Sequence, residues 1–293
     1  MRVAGSVVVA SVLIAGAVNA GAIATPIEIG LTARALQPGE VIVFTIEAPP
    51  DATHVAVTAF GRTTPAFRTD EGWKALVGID VEQRPGTVSV SASAVAGGTH
   101  LAGERQVTVH AKRFDVRKLS VAPEFVNPPA SVQARISEET TRLQQVYAGS
   151  AREPLWSGPF VRPVADPANS RFGARSVFNG QPRSPHAGTD FLSPAGTPVR
   201  APNSGRIMVA GDLFFSGNTI IIDHGLGLFS TLAHLSAIAV MEGELVVRGA
   251  VVGNVGATGR VTGPHLHWAL RVGGARVDGL SMLALRDCCG ATR

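Results

Sequence analysis

Cysteine is nearly absent: the chain carries only Cys288 and Cys289, adjacent to each other near its C-terminal end. Sequence neighbours cannot staple a loop, and a ring between them would be strained, so no disulfide framework supports the fold. Nothing pairs them with histidines at zinc-finger spacing. Aromatic residues make up 5% of the chain and charged residues 16%. No cluster of Lys and Arg with interleaved aromatics occurs, so the mild net charge of +4 reads as an ordinary solvated surface and not as a nucleic-acid groove. An HExxH motif is missing as well, which removes the usual source of a glutamate base in a zinc hydrolase.

Glycine, proline and small apolar residues are plentiful. Thirty-three Gly, 19 Pro and 45% hydrophobic residues favour short strands and many turns around well-filled cores. A length of 293 residues suggests about two domains. The expected fold class is mainly β: an N-terminal antiparallel sandwich-like domain, a short connecting helix, and a C-terminal antiparallel β domain with a groove.

Residues 1–24 are expected to be a signal peptide. Arg2 precedes an apolar run from Val3 to Val18, and "VNAGAIA" then offers small-residue cleavage positions after Ala20, Ala22 or Ala24. The run is short and glycine-containing for a bilayer span, so no stable transmembrane segment is expected after cleavage. The mature chain is accordingly expected to be secreted, periplasmic or associated with the cell envelope.

From 25 to 122, runs such as "VIVFTIEAP", "HVAVTAF", "GTVSVSASAV" and "RQVTVHAKRF" are separated by "QPG", "RPG" and "GG" turns, the rhythm of a small sandwich. His54, His100 and His110 are widely spaced there and are read as structural or exposed. Residues 123–150 change character. Two prolines stop the sheet, and Val132, Ile136, Leu143 and Val146 recur at helical spacing between Ser131 and Tyr147. Residues 151–293 return to short apolar strands and glycine-rich turns, and most of the histidines concentrate in them.

"GPHLHWALR" places His265 and His267 two residues apart, which on a strand puts both imidazoles on one face. Alone, such a pair is no more than two satisfied rings. "SPHAGTDF" adds His186 and Asp190, with Pro185, Gly188 and Pro194 opposing a helix, so a loop should deliver His186 to the strand carrying Asp190. Two ligands from this segment and one from the HxH pair would form a His2Asp set with a fourth position open to water, as in catalytic zinc sites. His234, at the end of an apolar run, also needs a polar partner. It and a member of the HxH pair can supply the base and the oxyanion donor of a metal-assisted hydrolase. His224 beside Asp223 is read as a structural turn residue. Arg171 and Arg175 are close enough in sequence to meet a substrate carboxylate.

The segments "RFGAR", "PHAGTDF", "GTPVRAPNSGRIMVAG", "GNTIIIDHGLGLFSTLAHLS" and "GATGRVTGPHLHWAL" resemble, in order, the M23 group of zinc metallopeptidases, the lysostaphin-type enzymes that cut peptide bonds in bacterial peptidoglycan. The resemblance covers roughly residues 170 to 272. It implies that His186, Asp190 and His267 bind one Zn2+ per chain, and that His234 and His265 flank the attacking water and scissile carbonyl. Leu232 stands where the family often has an aromatic residue. The upstream layout is similar to the sandwich and helical spacer of some Gram-negative members. The resemblance further implies peptidoglycan stem peptides or cross-bridges as the partner, and no nucleic acid. Two rivals are weighed against it. An inactive relative that regulates another wall hydrolase would typically lack a ligand, and none is missing. A lipoyl-type carrier, suggested by "MEGELVVRGAVVG", needs an acceptor lysine, and residues 235–293 contain none.

Overall fold

The structure is a computed structural model that describes residues 25–169 and 172–285. The expected signal peptide, Arg171, Cys288 and Cys289 lie outside the described residues.

Nine strands fill the first part of the chain: β1 (Thr25–Pro26), β2 (Ile29–Ala33), β3 (Val41–Ile46), β4 (Thr53–Ala59), β5 (Arg62–Pro65), β6 (Phe67–Thr69), β7 (Gly72–Gly78), β8 (Gly86–Ala96) and β9 (Thr99–Val109). They form a five-stranded sheet, β1-β9-β8-β4-β5, and a four-stranded sheet, β2-β3-β7-β6. The alternation of "VSVSASA" is used as a strand should use it: Val90, Ala92 and Ala94 enter the sandwich core while Ser89 and Ser93 face solvent. His54, His100 and His110 are exposed.

β3 does not alternate, and the reason lies outside the sandwich. Ile42, Phe44 and Ile46 fill the sandwich core, whereas Val41 and Val43 pack into the core of the C-terminal part, joined there by Leu76 and Phe67. A strand covered on both faces reads as a continuous apolar run, which accounts for "VIVFTI". The four-stranded sheet is thus a shared middle layer.

The strand expected to run on through "RQVTVHAKRF" stops at Val109. A separate short strand, β10 (Val116–Leu119), follows, and then the helix α1 (Ala130–Ala148), close to its expected bounds. Leu143, Val146 and Tyr147 of α1 pack on Val209, Ile221 and Phe229. β10 pairs in parallel with β11 (Arg175–Phe178), which pairs with β12 (Gln181–Pro185).

The remaining strands are β13 (Gly188–Phe191), β14 (Pro198–Arg200), β15 (Gly205–Leu213), β16 (Gly217–Gly225), β17 (Leu228–Ile238), β18 (Leu245–Val246), β19 (Val251–Val255), β20 (Leu266–Val272) and β21 (Ala275–Val277), followed by helix α2 (Gly279–Ala284). They make one antiparallel nine-stranded sheet with β13-β20-β17-β16-β15 at its centre.

Polar contacts seal the seam between the two parts. Arg276 grips Asp80 through Nε and Nη2 at 3.1 and 2.7 Å, and Arg34 bridges Glu40 and Asp278 at 2.7 and 3.0 Å. Gly78 lies so close to β21 that a Cβ there would sit 2.7 Å from that of Ala275 and 2.9 Å from Val277 Cγ1. Gly78→Ala should therefore overpack the seam and cost about 1–3 kcal/mol. Gly211→Ala, whose added methyl meets nothing within 4 Å, should be nearly neutral. Urea midpoints of the two variants check the difference, and equal midpoints would show that the seam is compliant.

Candidate metal centre

Register brings the first two candidate ligands together. In the antiparallel pairing of β13 with β20, Asp190 stands directly opposite His267, and on the other side of β20 His267 stands opposite Ala233 of β17. Directly opposed residues share a sheet face, so carboxylate and imidazole meet without any loop being involved. Along β20 the alternation is strict: Leu266, Trp268, Leu270 and Val272 are buried, while His267 faces the other way. His265 lies just before the strand in an isolated bridge to Gly256.

His186 arrives from the loop expected of it. Its backbone N–H donates to Ala174 O at 2.9 Å and its carbonyl accepts from Gly173 N at 2.8 Å, which fixes it beside the β11–β12 hairpin. Gly188 makes the space: a Cβ there would lie 2.3 Å from Cε1 and 2.5 Å from Nε2 of His267.

The three donor atoms form a nearly equilateral triangle. His186 Nε2 to His267 Nδ1 is 3.0 Å, His186 Nε2 to Asp190 Oδ1 is 3.1 Å, and His267 Nδ1 to Asp190 Oδ1 is 3.0 Å. Zinc with N and O ligands at its usual bond lengths sets tetrahedral edges of about 3.3 Å. Two imidazole nitrogens and a carboxylate on such edges are a donor set that fits the ion, and these three residues can hold a metal. Burial opposes ionisation of Asp190, but hydrogen bonds from His186 and His267 and their charge hold its carboxyl well below the usual range. Burial pushes the His267 imidazole down, against its hydrogen bond to Asp190.

His234 and His265 complete the pocket. His234 occupies a left-handed conformation, φ 66°, within an irregularity of the β16–β17 register. Left-handed backbone at a buried non-glycine residue is strained, and bulges of this kind re-aim a side chain. The ring centroid of His234 is 4.9 Å from that of His265 and 5.7 Å from that of His267. His234 Nδ1 is 2.9 Å from Thr258 O, and His265 Nδ1 is 2.9 Å from Gly263 O. Carbonyls only accept, so in the neutral form each ring carries its proton on Nδ1 and leaves Nε2 as a bare lone pair. For His265 that nitrogen is 3.9 Å from Asp190 Oδ1. Burial, then the charges of His267 and His265, push His234 down to about 3.

The pocket encloses about 190 Å³. Besides these five residues it is lined by Arg117, Phe178, Phe215 and Arg260, none of them singled out in the sequence. Arg117 of β10 reaches Asp190 Oδ2 at 3.5 Å. Arg260 carried a signal, because it stands inside the "GATGRVTGPHLH" segment, whereas Arg117 in "FDVRKLS" carried none. Arg175 is exposed on β11 and lines a different cavity, so the expected carboxylate partner role does not fall to it here. A larger cavity of about 710 Å³ between the two parts of the molecule is lined by residues such as Arg68, Arg152 and Trp156 and holds none of the five candidates.

His224 lies within β16 and not in a turn, fully buried behind the site. Its Nδ1–H donates to Ser204 O at 2.8 Å. Its Nε2 accepts from Ser230 Oγ at 2.8 Å, and Ser230 in turn accepts from Trp268 Nε1 at 3.1 Å. This chain fixes the residue next to His267.

An antiparallel β domain that brings two histidines and an aspartate into a group able to hold a metal, with two further histidines beside them, has the layout of a metal-dependent hydrolase. Residues 184–279 match the model of Peptidase family M23. A crystal structure from Pseudomonas aeruginosa described as a peptidase M23 is 32% identical, with 88% of this chain and 96% of that chain covered and a TM-score of 0.66. The chain therefore belongs to peptidase family M23. It is also 43% identical over 97 residues to peptidoglycan DD-endopeptidase ShyA of Vibrio cholerae, a match covering 33% of this chain and 23% of that protein. To DD-carboxypeptidase/endopeptidase Mpg of Neisseria meningitidis it is 44% identical over 145 residues, covering 50% and 32%. The chain thus spans about a quarter to a third of the length of these two curated relatives.

Two measurements follow from the geometry. Gly188→Ala should push the His267 ring out of the triangle and weaken metal affinity about 10- to 100-fold, as loss of a supporting contact does; competition with a chromophoric chelator reads this, and unchanged affinity would show that the ring has room to move. Burial pushes the His224 imidazole down to about 4 from its ordinary 6.5. The unfolded chain then binds more protons between those values. The stability that rests on His224 should therefore be fully present above about pH 6.5 and fall by about 3 kcal/mol toward pH 4. Urea midpoints in chelator check this: His224→Gln should remove its share of the dependence, while His234, which burial also pushes down, keeps its own.

Proposed function

We propose that the chain is a zinc-dependent endopeptidase that hydrolyses peptide cross-links of bacterial peptidoglycan outside the cytoplasm. The names of the curated relatives support the substrate. The observation that carries the reaction is the pair of bare Nε2 atoms on His234 and His265 beside the ligand triangle. Among the described residues no helix is long and apolar enough to cross a membrane.

His186, Asp190 and His267 would hold the ion. When bound, zinc supplies Lewis acidity, which acidifies water and polarises a carbonyl. His265 takes the proton of the attacking water at Nε2 and, once protonated, passes it to the leaving nitrogen. His234 is kept neutral by burial, so its Nε2 accepts a hydrogen bond and can donate to an oxyanion only after gaining a proton. The regulator alternative is disfavoured because all five residues are present and already arranged. Residues 151–293 carry the chemistry, and the N-terminal part contributes position, since β10 brings Arg117 to the pocket wall.

The two histidines of "GPHLHWALR" should fail differently. His267→Ala should lose zinc and activity together. His265→Ala should keep near-stoichiometric zinc and lose about 10²- to 10⁴-fold in turnover. Digestion of purified peptidoglycan, with mass spectrometry of the new termini, reads the activity; a zinc-loaded protein that releases no new termini would refute the endopeptidase reading.

A further inference from the structure

We propose that Arg260 is the anchor for a substrate carboxylate flanking the scissile bond, which makes it a specificity-determining residue of the pocket. The proposal rests on the peptidase reading above and adds the chemistry of the peptide selected.

Three observations carry it. The first is a rigid mount. Arg260 follows Gly259, where a Cβ would lie 2.4 Å from Gly217 N, so two loops pass each other at backbone contact. The Arg260 backbone N–H donates to Phe215 O at 2.8 Å. Thr258 ties the same loop to β16 and β17, accepting from Asn218 N and donating to Leu235 O, both at 2.9 Å. The second is the stacking of the guanidinium. Its carbon lies 4.7 Å from the Phe178 ring centroid and 4.9 Å from that of Phe215. Aromatic faces attract a cation and hold its plane without neutralising it.

The third is charge. Arg34, Arg117, Arg135, Arg142 and Arg276 each meet a carboxylate. Arg260 has no ion pair and no side-chain hydrogen bond among the described residues. Its charged neighbour is Arg183, a like charge, and burial together with Arg183 lowers its pKa. Arg183 spends Nη2 on Val126 O and Gln181 Oε1, and its buried Nε has no partner. A half-buried, oriented and unneutralised guanidinium fork lining the same pocket as His234 and His265 is complementary to a planar carboxylate, which it can meet with two parallel N–H donors. Cross-linked stem peptides carry free carboxylates, and a neutral carboxamide at the same place offers one acceptor and two donors that a guanidinium cannot use.

The test uses the full chain, a cross-linked dimeric muropeptide and its carbodiimide-amidated counterpart. The parent protein should cleave the carboxylate form with a kcat/KM about 10- to 100-fold above the amidated form, chiefly through KM, the range set by a charge-assisted pair. Arg260→Gln should lose that preference while keeping its zinc stoichiometry and thermal midpoint. Arg260→Lys should restore only part of it, because a point charge lacks the fork. Equal losses on both substrates in Arg260→Gln would overturn the proposal in favour of a packing role. Calorimetric binding of the two muropeptides to zinc-loaded His265→Ala, with and without Arg260→Gln, separates the readings. Equal affinity for both forms overturns the anchor even if cleavage is seen, whereas preferential binding without cleavage by the parent protein upholds the anchor and refutes the endopeptidase.

Discussion

The register between β13 and β20 is the constraint on which the site depends. Because Asp190 sits opposite His267, a slip of one residue would turn one of the two to the other face of the sheet and dissolve the triangle. The apolar partners of the same strands enforce that register. Leu266, Trp268 and Leu270 are fully buried on the face away from the metal centre, so any shift would drag a tryptophan into solvent. The hydrogen bond from Trp268 through Ser230 to His224 adds a directional lock that apolar packing alone does not provide. Ligand geometry is therefore maintained by the core beneath it.

Around that pairing the remaining donors arrive by strained or close-packed backbone. His234 requires a left-handed residue in a strand, and the loop bearing Arg260 and His265 requires glycine at 217 and 259, both with positive φ. Such positions persist only where surrounding contacts over-determine them. Here those contacts are backbone hydrogen bonds from His234 N to Ser216 O and from Arg260 N to Phe215 O, at 3.0 and 2.8 Å. One turn, between β15 and β16, thus steadies both the second histidine and the guanidinium.

Much of this was legible in the sequence because the informative signals are local. The spacing of His186 and Asp190, broken by Gly188 and flanked by Pro185, specifies a loop running into a strand, and the HxH pair specifies one strand face. α1 was readable from apolar spacing, and its expected and observed limits differ by one residue at each end. What was not legible is non-local. β10 owes its existence to Arg175–Phe178, some 59 residues further on, and "VRKL" has no alternation of its own. The run "VIVFTI" reads as one more sandwich strand, and only the fold shows that its second face meets the C-terminal core. Arg171 lies outside the described residues; among the described arginines, proximity in sequence pointed to Arg175, while proximity in space selects Arg117 and Arg260.

The middle sheet and the short strand β10 differ sharply in how firmly they are held. Swinging the sandwich away would expose Val41, Val43, Phe67 and Leu76, each at most 4% exposed, and apolar area costs about 25 cal/mol per Å² to wet. β10 has only four residues, none of them buried, and elements with so few apolar contacts open locally at far lower cost. The pocket wall belongs to the second kind: Arg117 and Leu119 of β10 line it, and no residue of the middle sheet does. Local release of β10 would widen the pocket while both cores stay shut, with no movement required between the two parts of the molecule.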